Sequence, residues 1–310
     1  LVDSGFKSSI IRSSNLSEIE RSTIFYSNIF VSLLVGIILF ISSEYISIFF
    51  KKPELEKITK LYSLIPIING FGLVQSAILF KKLQFKRNAI ISIISNLIAG
   101  IIAVVLALNN YSYWALVWKG ILTSFIYCLL LWLTSNWRPH LIFSLSALKI
   151  HFRFSSKLLL TGIVDNVFNN IYTFIFGKYF SLKELGYYTR GKGYVDMATK
   201  TLSIAIQKVN NPILASANNN KDMIINHYIK LLRGTALLIF PITILLIIIA
   251  KPMIIVLIGN KWINAIPYLQ IIAISGMIYP ILNANSSLLE ILGNSGTILK
   301  MAIISRFLQI

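Results

Sequence analysis

Residues 23–43 read TIFYSNIFVSLLVGIILFISS, a stretch without a single charged side chain. The hydrocarbon core of a bilayer is about 30 Å thick, and roughly 20 apolar helical residues are needed to cross it. Similar stretches recur along the chain, separated by short segments that carry most of the 29 lysines and arginines. This pattern predicts a polytopic membrane protein. The predicted spans are residues 23–43, 61–80, 89–108, 113–133, 158–176, 194–214, 231–250, 266–289 and a truncated ninth, 297–310.

The predicted secondary structure is entirely helical. Inside a bilayer every backbone donor and acceptor must be bonded within the protein, and helices achieve this segment by segment. We therefore predict an all-α polytopic membrane protein with eight full spans and one truncated span, of which 194–214 is the most polar. Only 13% of the residues are charged and 56% are hydrophobic, whereas a soluble domain carries about 25% charged residues. These values exclude a water-soluble domain.

The chain is strongly basic, with a net charge of +18. Its basic residues lie at the ends of the spans, where they contact lipid head groups, and no basic patch is interleaved with aromatics on a soluble surface. We therefore predict membrane lipids and no nucleic acid as partners. The single cysteine, Cys128, excludes an intrachain disulfide and a cysteine metal cluster. The three histidines lack metal-ligand spacing, so no metal or cofactor is expected.

The basic residues also predict an orientation. When the connections are assigned alternately to two sides, one side collects 15 lysines and arginines near the span ends and the other collects 10. The positive-inside rule places the richer side, which includes residues 1–22, in the cytoplasm.

The longest connection on the predicted cytoplasmic side is residues 134–156. Leu145, Leu148 and Phe152 are spaced about one turn apart, so we predict a short amphipathic helix that Ser144 caps, with a solvated linker as the alternative. The predicted domains are a partial N-terminal bundle of four spans, this linker, and a partial C-terminal bundle of four spans plus a truncated fifth. Their bounds are 1–133, 134–156 and 157–310.

The chain starts at Leu1 without a start methionine, no signal peptide precedes the first span, and the pattern of the ninth span is interrupted at Ile310. We therefore expect an internal fragment of a longer protein, which would not transport on its own.

An ordered series of short motifs resembles a known family. It includes DSGFKSSIIR at 3–12, YWALV at 113–117, LGYYTR at 185–190 and GNKW at 259–262. The series is similar to the Wzx-type polysaccharide and O-antigen flippases, the oligosaccharide flippase family of the multidrug/oligosaccharidyl-lipid/polysaccharide exporter superfamily. Further motifs in the same order are GLVQ at 72–75, WRP at 137–139, NIY at 170–172 and NP at 211–212.

The resemblance implies a MATE-like fold, in which two helical bundles surround a central cavity. It also implies a flippase in a bacterial inner membrane that moves an undecaprenyl-pyrophosphate-linked oligosaccharide repeat unit to the periplasmic leaflet by alternating access. The product would serve the synthesis of O-antigen, capsule or exopolysaccharide. The partners expected on this basis are the lipid-linked oligosaccharide, membrane lipids and a polysaccharide polymerase.

Three of the cations inside predicted spans are candidates for substrate binding. They are Lys119 in the fourth, Lys200 in the sixth and Arg306 in the ninth. Ionisable side chains are expensive in a bilayer and usually face a water-filled cavity or a charged partner. We predict that these cations line the cavity and bind the pyrophosphate of the substrate. Lys200 has an alternative partner, because Asp196 lies one turn earlier on the same helix.

Polar side chains also mark the fifth predicted span, where Asp165 precedes three asparagines. Such a face lines a path for sugar hydroxyls or bonds to a neighbouring helix. Asp165 either pairs with Lys119, reaches interfacial water, or holds a coupling cation, H⁺ or Na⁺. Asn69 and Gln75 in the second span offer similar amide contacts. The substrate-binding candidates are Lys119, Asp165, Asn166, Asn169, Asn170, Lys200 and Arg306.

Two other functions fit the sequence less well. A membrane-embedded polymerase or lipid-linked glycosyltransferase needs a large loop with paired carboxylates or an acidic metal-binding motif, whereas the loops here are short and the chain has only 11 acids. We therefore predict a transporter rather than an enzyme. A cation-coupled multidrug exporter of the same superfamily is the closer alternative, but a cavity for cationic drugs favours acids, and the charges inside these spans are mostly basic.

Overall fold

The computed structural model describes residues 6–12, 16–216, 221–278 and 281. No strand occurs among these residues, whose regular elements are α-helices and one short 3₁₀ helix, Asn260–Trp262. The helices are α1 Phe6–Arg12, α2 Glu18–Phe50, α3 Glu54–Tyr62, α4 Leu64–Lys81, α5 Phe85–Leu108, α6 Trp114–Thr134, α7 Leu145–Asn169, α8 Ile171–Tyr179, α9 Leu182–Ser216, α10 Lys221–Ile248, α11 Ala250–Ile258 and α12 Ala265–Gly276.

The prediction of an all-α polytopic membrane protein is confirmed. Among the described residues, five helical stretches are long and apolar enough to cross a membrane. They are Glu18–Phe50, Glu54–Lys81, Phe85–Leu108, Trp114–Thr134 and Tyr228–Ile248. The predicted count of eight full spans is not confirmed.

The predicted spans and the observed helices differ mainly in the second half of the chain. The fifth predicted span, 158–176, is interrupted because α7 ends at Asn169 and α8 starts at Ile171. Two consecutive asparagines have low helix propensity, and their side chains compete for backbone hydrogen bonds. The sixth predicted span lies within the more polar α9. The eighth begins with α12, while most of its second half and all of the ninth lie outside the described residues.

Helix contacts divide the chain into two compact units, unit 1 (Leu1–Asn170) and unit 2 (Ile171–Ile310). In unit 1, α1 packs against α2, α4 and α7, and α4 also packs against α6. The short α1 is anchored by Phe6 and Ile10, which are buried with Phe25 of α2 and Val74 of α4. The predicted cytoplasmic stretch 1–22 therefore includes a helix that belongs to the core of unit 1.

The connection after α6 lies along the first turns of α2. The backbone N–H groups of His140 and Ser144 donate to the hydroxyls of Ser22 and Thr23 at 3.1 and 3.0 Å. The indole of Trp137 donates to Glu18 at 2.8 Å. Buried hydroxyls of α2 thus satisfy backbone groups of a segment that has no helix of its own.

Ser144 caps α7, as predicted, because its hydroxyl accepts the backbone N–H of Ala147 at 3.4 Å. The amphipathic residues after Ser144 do not form a separate short helix. They are the first turns of α7, which continues for 25 residues into the fifth predicted span.

In unit 2, α9 packs closely against α12. The contact is close because Gly191 lies against the backbone of α12, where an added Cβ atom would approach Leu269 N to 2.8 Å. The apolar core includes Val195 of α9, Ile254 of α11 and Leu269 of α12, all almost fully buried. Small residues at helix contacts are typical of membrane helices, because they allow backbones to approach.

Candidate functional site

Lys119 lies in a groove between α5 and α6 in unit 1. The groove has a volume of about 630 Å³, and Leu97, Ile101 and Leu116 are among its mainly apolar lining residues. Gly100 also lines it, and an added Cβ atom there would meet nothing within 4 Å. Lys119 is five residues from the start of α6, which places it about 8 Å along the helix. Because the other lining residues are mainly apolar, the lysine contributes a cation to an otherwise largely aliphatic surface.

Lys119 has no ion pair among the side chains that the structure describes, which do not include that of Asp165. Its side chain is exposed. An ammonium group beside hydrocarbon is costly unless water or an anion reaches it. The geometry therefore suits a ligand that has both an apolar part and an anionic group.

Lys200 adopts the alternative arrangement that the sequence offered. Its Nζ atom lies 3.0 Å from the carboxylate of Asp196, one turn earlier on α9. Lys192 approaches the same carboxylate oxygen at 2.5 Å from the other side. One aspartate thus lies between two lysines, so the cluster keeps one net positive charge, although Lys200 is not a lone cation.

The three asparagine candidates lie at the end of α7. Asn166, Asn169 and Asn170 are all exposed, and the side-chain amide of Asn170 donates to the backbone oxygen of Asn166 at 2.9 Å. Asn170 therefore closes the last turn of α7 in addition to presenting a polar surface. The backbone of Asp165 belongs to α7, but its side chain lies outside the described part of the structure, as does all of Arg306.

A second cavity in unit 1 is more polar than the Lys119 groove, and the sequence predicts only part of its lining. It has a volume of about 630 Å³ and lies among α1, α2, α3, α4 and α6. Its polar lining includes Lys7, Tyr62, Asn69, Ser76 and Tyr127. These amide, hydroxyl and ammonium groups suit a hydroxylated or anionic ligand. A sequence signal was present, because Asn69 and Ser76 are seven residues apart and therefore share one face of α4.

Tyr127 organises one wall of this cavity. Its hydroxyl donates to the side-chain oxygen of Asn88 at 2.7 Å and lies 3.4 Å from the hydroxyl of Ser76. These two contacts connect Ser76 of α4, Asn88 of α5 and Tyr127 of α6. Gln75, the other predicted amide, does not line this cavity. It is fully buried, and neither of its side-chain polar atoms has a hydrogen-bond partner among the described residues.

Comparison with known proteins places these features in a family context. The family model described as "Polysaccharide biosynthesis protein" matches residues 1–267. The chain is 26% identical over 292 residues to the teichuronic acid biosynthesis protein TuaB of Bacillus subtilis (strain 168), with 93% of the chain and 60% of TuaB covered. It is 25% identical over 295 residues to the lipopolysaccharide biosynthesis protein WzxC of Escherichia coli (strain K12), with coverage of 93% and 59%.

A further relative has a transport function in its name. The chain is 23% identical over 259 residues to the succinoglycan biosynthesis transport protein ExoT of Rhizobium meliloti (strain 1021), with 83% of the chain and 52% of ExoT covered. The chain thus spans between 52% and 60% of the length of these curated relatives. No solved structure matches it significantly.

Proposed function

The chain belongs to the polysaccharide biosynthesis protein family, and on that premise we propose that it moves lipid-linked oligosaccharide repeat units across the membrane for surface polysaccharide synthesis. Because the chain spans only part of its relatives, the proposal concerns the complete protein. The names of TuaB, ExoT and WzxC, which refer to three different polysaccharides, support this class of function.

The observation that carries the proposal is the position of Lys119 in the groove between α5 and α6. A polyprenyl pyrophosphate has a long hydrocarbon tail and an anionic head. The groove has a mainly aliphatic surface and one ammonium group without an ion pair among the described residues. Lysine binds phosphate as a point charge, and its attraction is strongest where hydrocarbon excludes water.

The sugar part of the substrate requires hydroxyl and amide partners. We assign this role to exposed amides such as Asn166, Asn169 and Asn170, with Asp165, Lys200 and Arg306 as the remaining substrate-binding candidates. Lys200 acts together with Asp196 and Lys192, as a cluster with one net positive charge.

The proposed transport cycle uses the two-bundle architecture that the sequence resemblance implies. Two bundles, 1–133 and 157–310, would alternate access to a central cavity in a bacterial inner membrane, with 134–156 as their connection. A cation, H⁺ or Na⁺, would couple the cycle, and a polysaccharide polymerase would take the product. We propose a transporter rather than an enzyme, which the name of the transport protein ExoT supports.

The complete protein can be tested through Lys119. Lys119→Met removes the charge but keeps an unbranched side chain, so we expect surface polysaccharide to fall by about 10-fold or more, the loss of one charge-assisted contact. Lys119→Arg should retain display. Lys57→Met, which changes an exposed lysine on α3, serves as the matched control. Equal display in all three variants at equal membrane abundance would remove Lys119 from the site.

The reaction class is tested by deleting the complete gene and labelling lipid-linked repeat units in each leaflet. Complete repeat units that accumulate on the cytoplasmic leaflet, with polymer lost outside, support the flippase. Incomplete repeat units indicate an enzyme. Unchanged glycolipid together with altered drug sensitivity indicates the multidrug exporter.

A further inference from the structure

A second groove lies between α5 and α6, at the start of α5. It has a volume of about 410 Å³. Lys86 and Arg87 lie at its rim, and Ile90, Ile94 and Leu130 contribute to its apolar wall. We call it the basic groove. It lies at the other end of α5 from the greater part of the Lys119 groove and shares no lining residue with it.

The positive charge of the basic groove has no nearby acidic partner in the sequence. Residues 57–164 contain eleven lysines and arginines and no aspartate or glutamate. Among the described residues, Lys86 has no ion pair, and the guanidinium of Arg87 donates to two neutral oxygens, the Thr134 carbonyl and the side chain of Gln84. Neither cation is therefore neutralised by a carboxylate among the described residues.

With the predicted span 89–108 in the bilayer, the cations of the basic groove lie at the level of lipid head groups and its apolar wall lies at the level of the hydrocarbon. Lys86 and Arg87 lie in the first turn of α5, just before the predicted span 89–108. Beyond them along α5, the groove residues Ile90 and Ile94 and then Leu97, which lines the Lys119 groove, follow at three- and four-residue spacing, and each is at least 40% exposed. From Arg87 to Leu97 the helix rises about 15 Å, which is the thickness of the hydrocarbon in one leaflet.

Several of the neutral polar groups of the basic groove are already hydrogen-bonded. The Thr134 hydroxyl donates to the Leu130 carbonyl at 2.6 Å, and the Gln84 oxygen accepts from Arg87 at 3.4 Å. Recognition of an oligosaccharide needs available donors and acceptors, whereas a phosphodiester with acyl chains needs charge and hydrocarbon. The composition therefore favours a phospholipid over a sugar-bearing lipid.

From this placement we infer that the basic groove binds an anionic diacyl phospholipid of the cytoplasmic leaflet. Its phosphate lies between Lys86 and Arg87, and one acyl chain lies along Ile90, Ile94 and Leu130. Basic pockets between membrane helices on the cytoplasmic side are suited to anionic head groups. This lipid site is separate from the proposed transport function and does not depend on it.

The site is tested by native mass spectrometry of the purified protein in neutral detergent, titrated with phosphatidylglycerol or with phosphatidylcholine of the same acyl chains. We expect phosphatidylglycerol to be retained preferentially. Lys86→Gln with Arg87→Gln should weaken its binding roughly 30-fold, the loss expected for two cations at a lipid surface. Lys51→Gln with Lys52→Gln removes the same charge elsewhere and should leave binding unchanged.

A third variant, Ile94→Trp, keeps both cations and fills the apolar wall, so it should also weaken binding if the acyl chain occupies the groove. Thermal unfolding of each variant confirms that it is folded. Equal losses of phosphatidylglycerol binding in the double variant at Lys86 and Arg87 and in the double variant at Lys51 and Lys52 would mean that only general surface charge matters, and would overturn the site. Full binding by Ile94→Trp would also overturn it. Displacement of phosphatidylglycerol by an equal concentration of undecaprenyl phosphate would overturn the assignment to a phospholipid.

Discussion

His151 is a residue whose role depends entirely on tertiary structure. It is buried in unit 1, where its Nδ1 atom lies 2.6 Å from the Ser9 hydroxyl and its Nε2 atom lies 3.6 Å from the carboxylate of Glu20. One imidazole therefore contacts α1 and α2 from its position on α7. The sequence indicated only that His151 lacked metal-ligand spacing, because its contacts are more than 130 residues away along the chain.

Replacing His151 should weaken the packing of these three helices. His151→Phe keeps a ring but removes both polar contacts, so we expect the free energy of unfolding to fall by about 1–3 kcal/mol. The measurement is thermal unfolding in detergent, compared with His140→Phe at an exposed position. If the two variants unfold at the same temperature, the polar contacts of His151 do not stabilise unit 1.

Local signals were predictable at the residue scale. Ser144 was correctly assigned as a helix cap, since a serine before an apolar periodic segment is a short-range pattern. The pairing of Lys200 with Asp196 was also among the expected alternatives, because i, i+4 spacing alone brings the side chains together. The groove around Lys119 was not predictable, because it depends on how α5 and α6 cross.

At the scale of elements, the contact between α9 and α12 depends on one glycine. A Cβ atom at Gly191 would lie 2.8 Å from Leu269 N, whereas one at Gly193, on the same helix, would meet nothing within 4 Å. Gly191→Ala should therefore destabilise unit 2 by about 1–3 kcal/mol, the usual cost of overpacking. Gly193→Ala should be neutral or stabilise α9, because alanine favours helix.

Thermal unfolding of the two glycine variants gives a matched comparison, since each adds one methyl group to α9. Similar unfolding temperatures would show that the backbones of α9 and α12 are not in close contact. Sequence alone did not distinguish the two positions. Both glycines lie in the same helix, and only the position of α12 makes Gly191 sensitive to an added methyl group.

The predicted elements were most accurate where apolar stretches were long and uninterrupted. The spans 89–108 and 113–133 agree closely with α5 and α6. The prediction failed for 158–176, because mean apolarity hides the helix break at Asn169 and Asn170. It also separated an amphipathic helix from the fifth span, although α7 is continuous, since polar residues within a long helix resemble a linker in a one-dimensional pattern.

At the scale of the whole molecule, the orientation stays a prediction that can be measured. In a background with Cys128→Ala, which removes the single cysteine of these 310 residues, Asn109→Cys should react with a membrane-impermeant maleimide from the periplasm. Asn136→Cys should react only after the inner membrane is opened. Both asparagines are exposed between helices, so access depends on the side of the membrane. The opposite labelling pattern would reverse the orientation that the basic residues predict.

The hydrogen bonds that hold α1 and the start of α2 have a consequence for synthesis of the protein. Their partners are His151, Trp137, His140 and Ser144, which are 118 to 142 residues away along the chain. Translation proceeds at about 5–20 residues per second, so these partners follow the N-terminal segment by roughly 6 to 28 s. During that interval Phe6 and Ile10 lack the α7 surface that later helps to enclose them, which makes completion of this layer a late event in biogenesis.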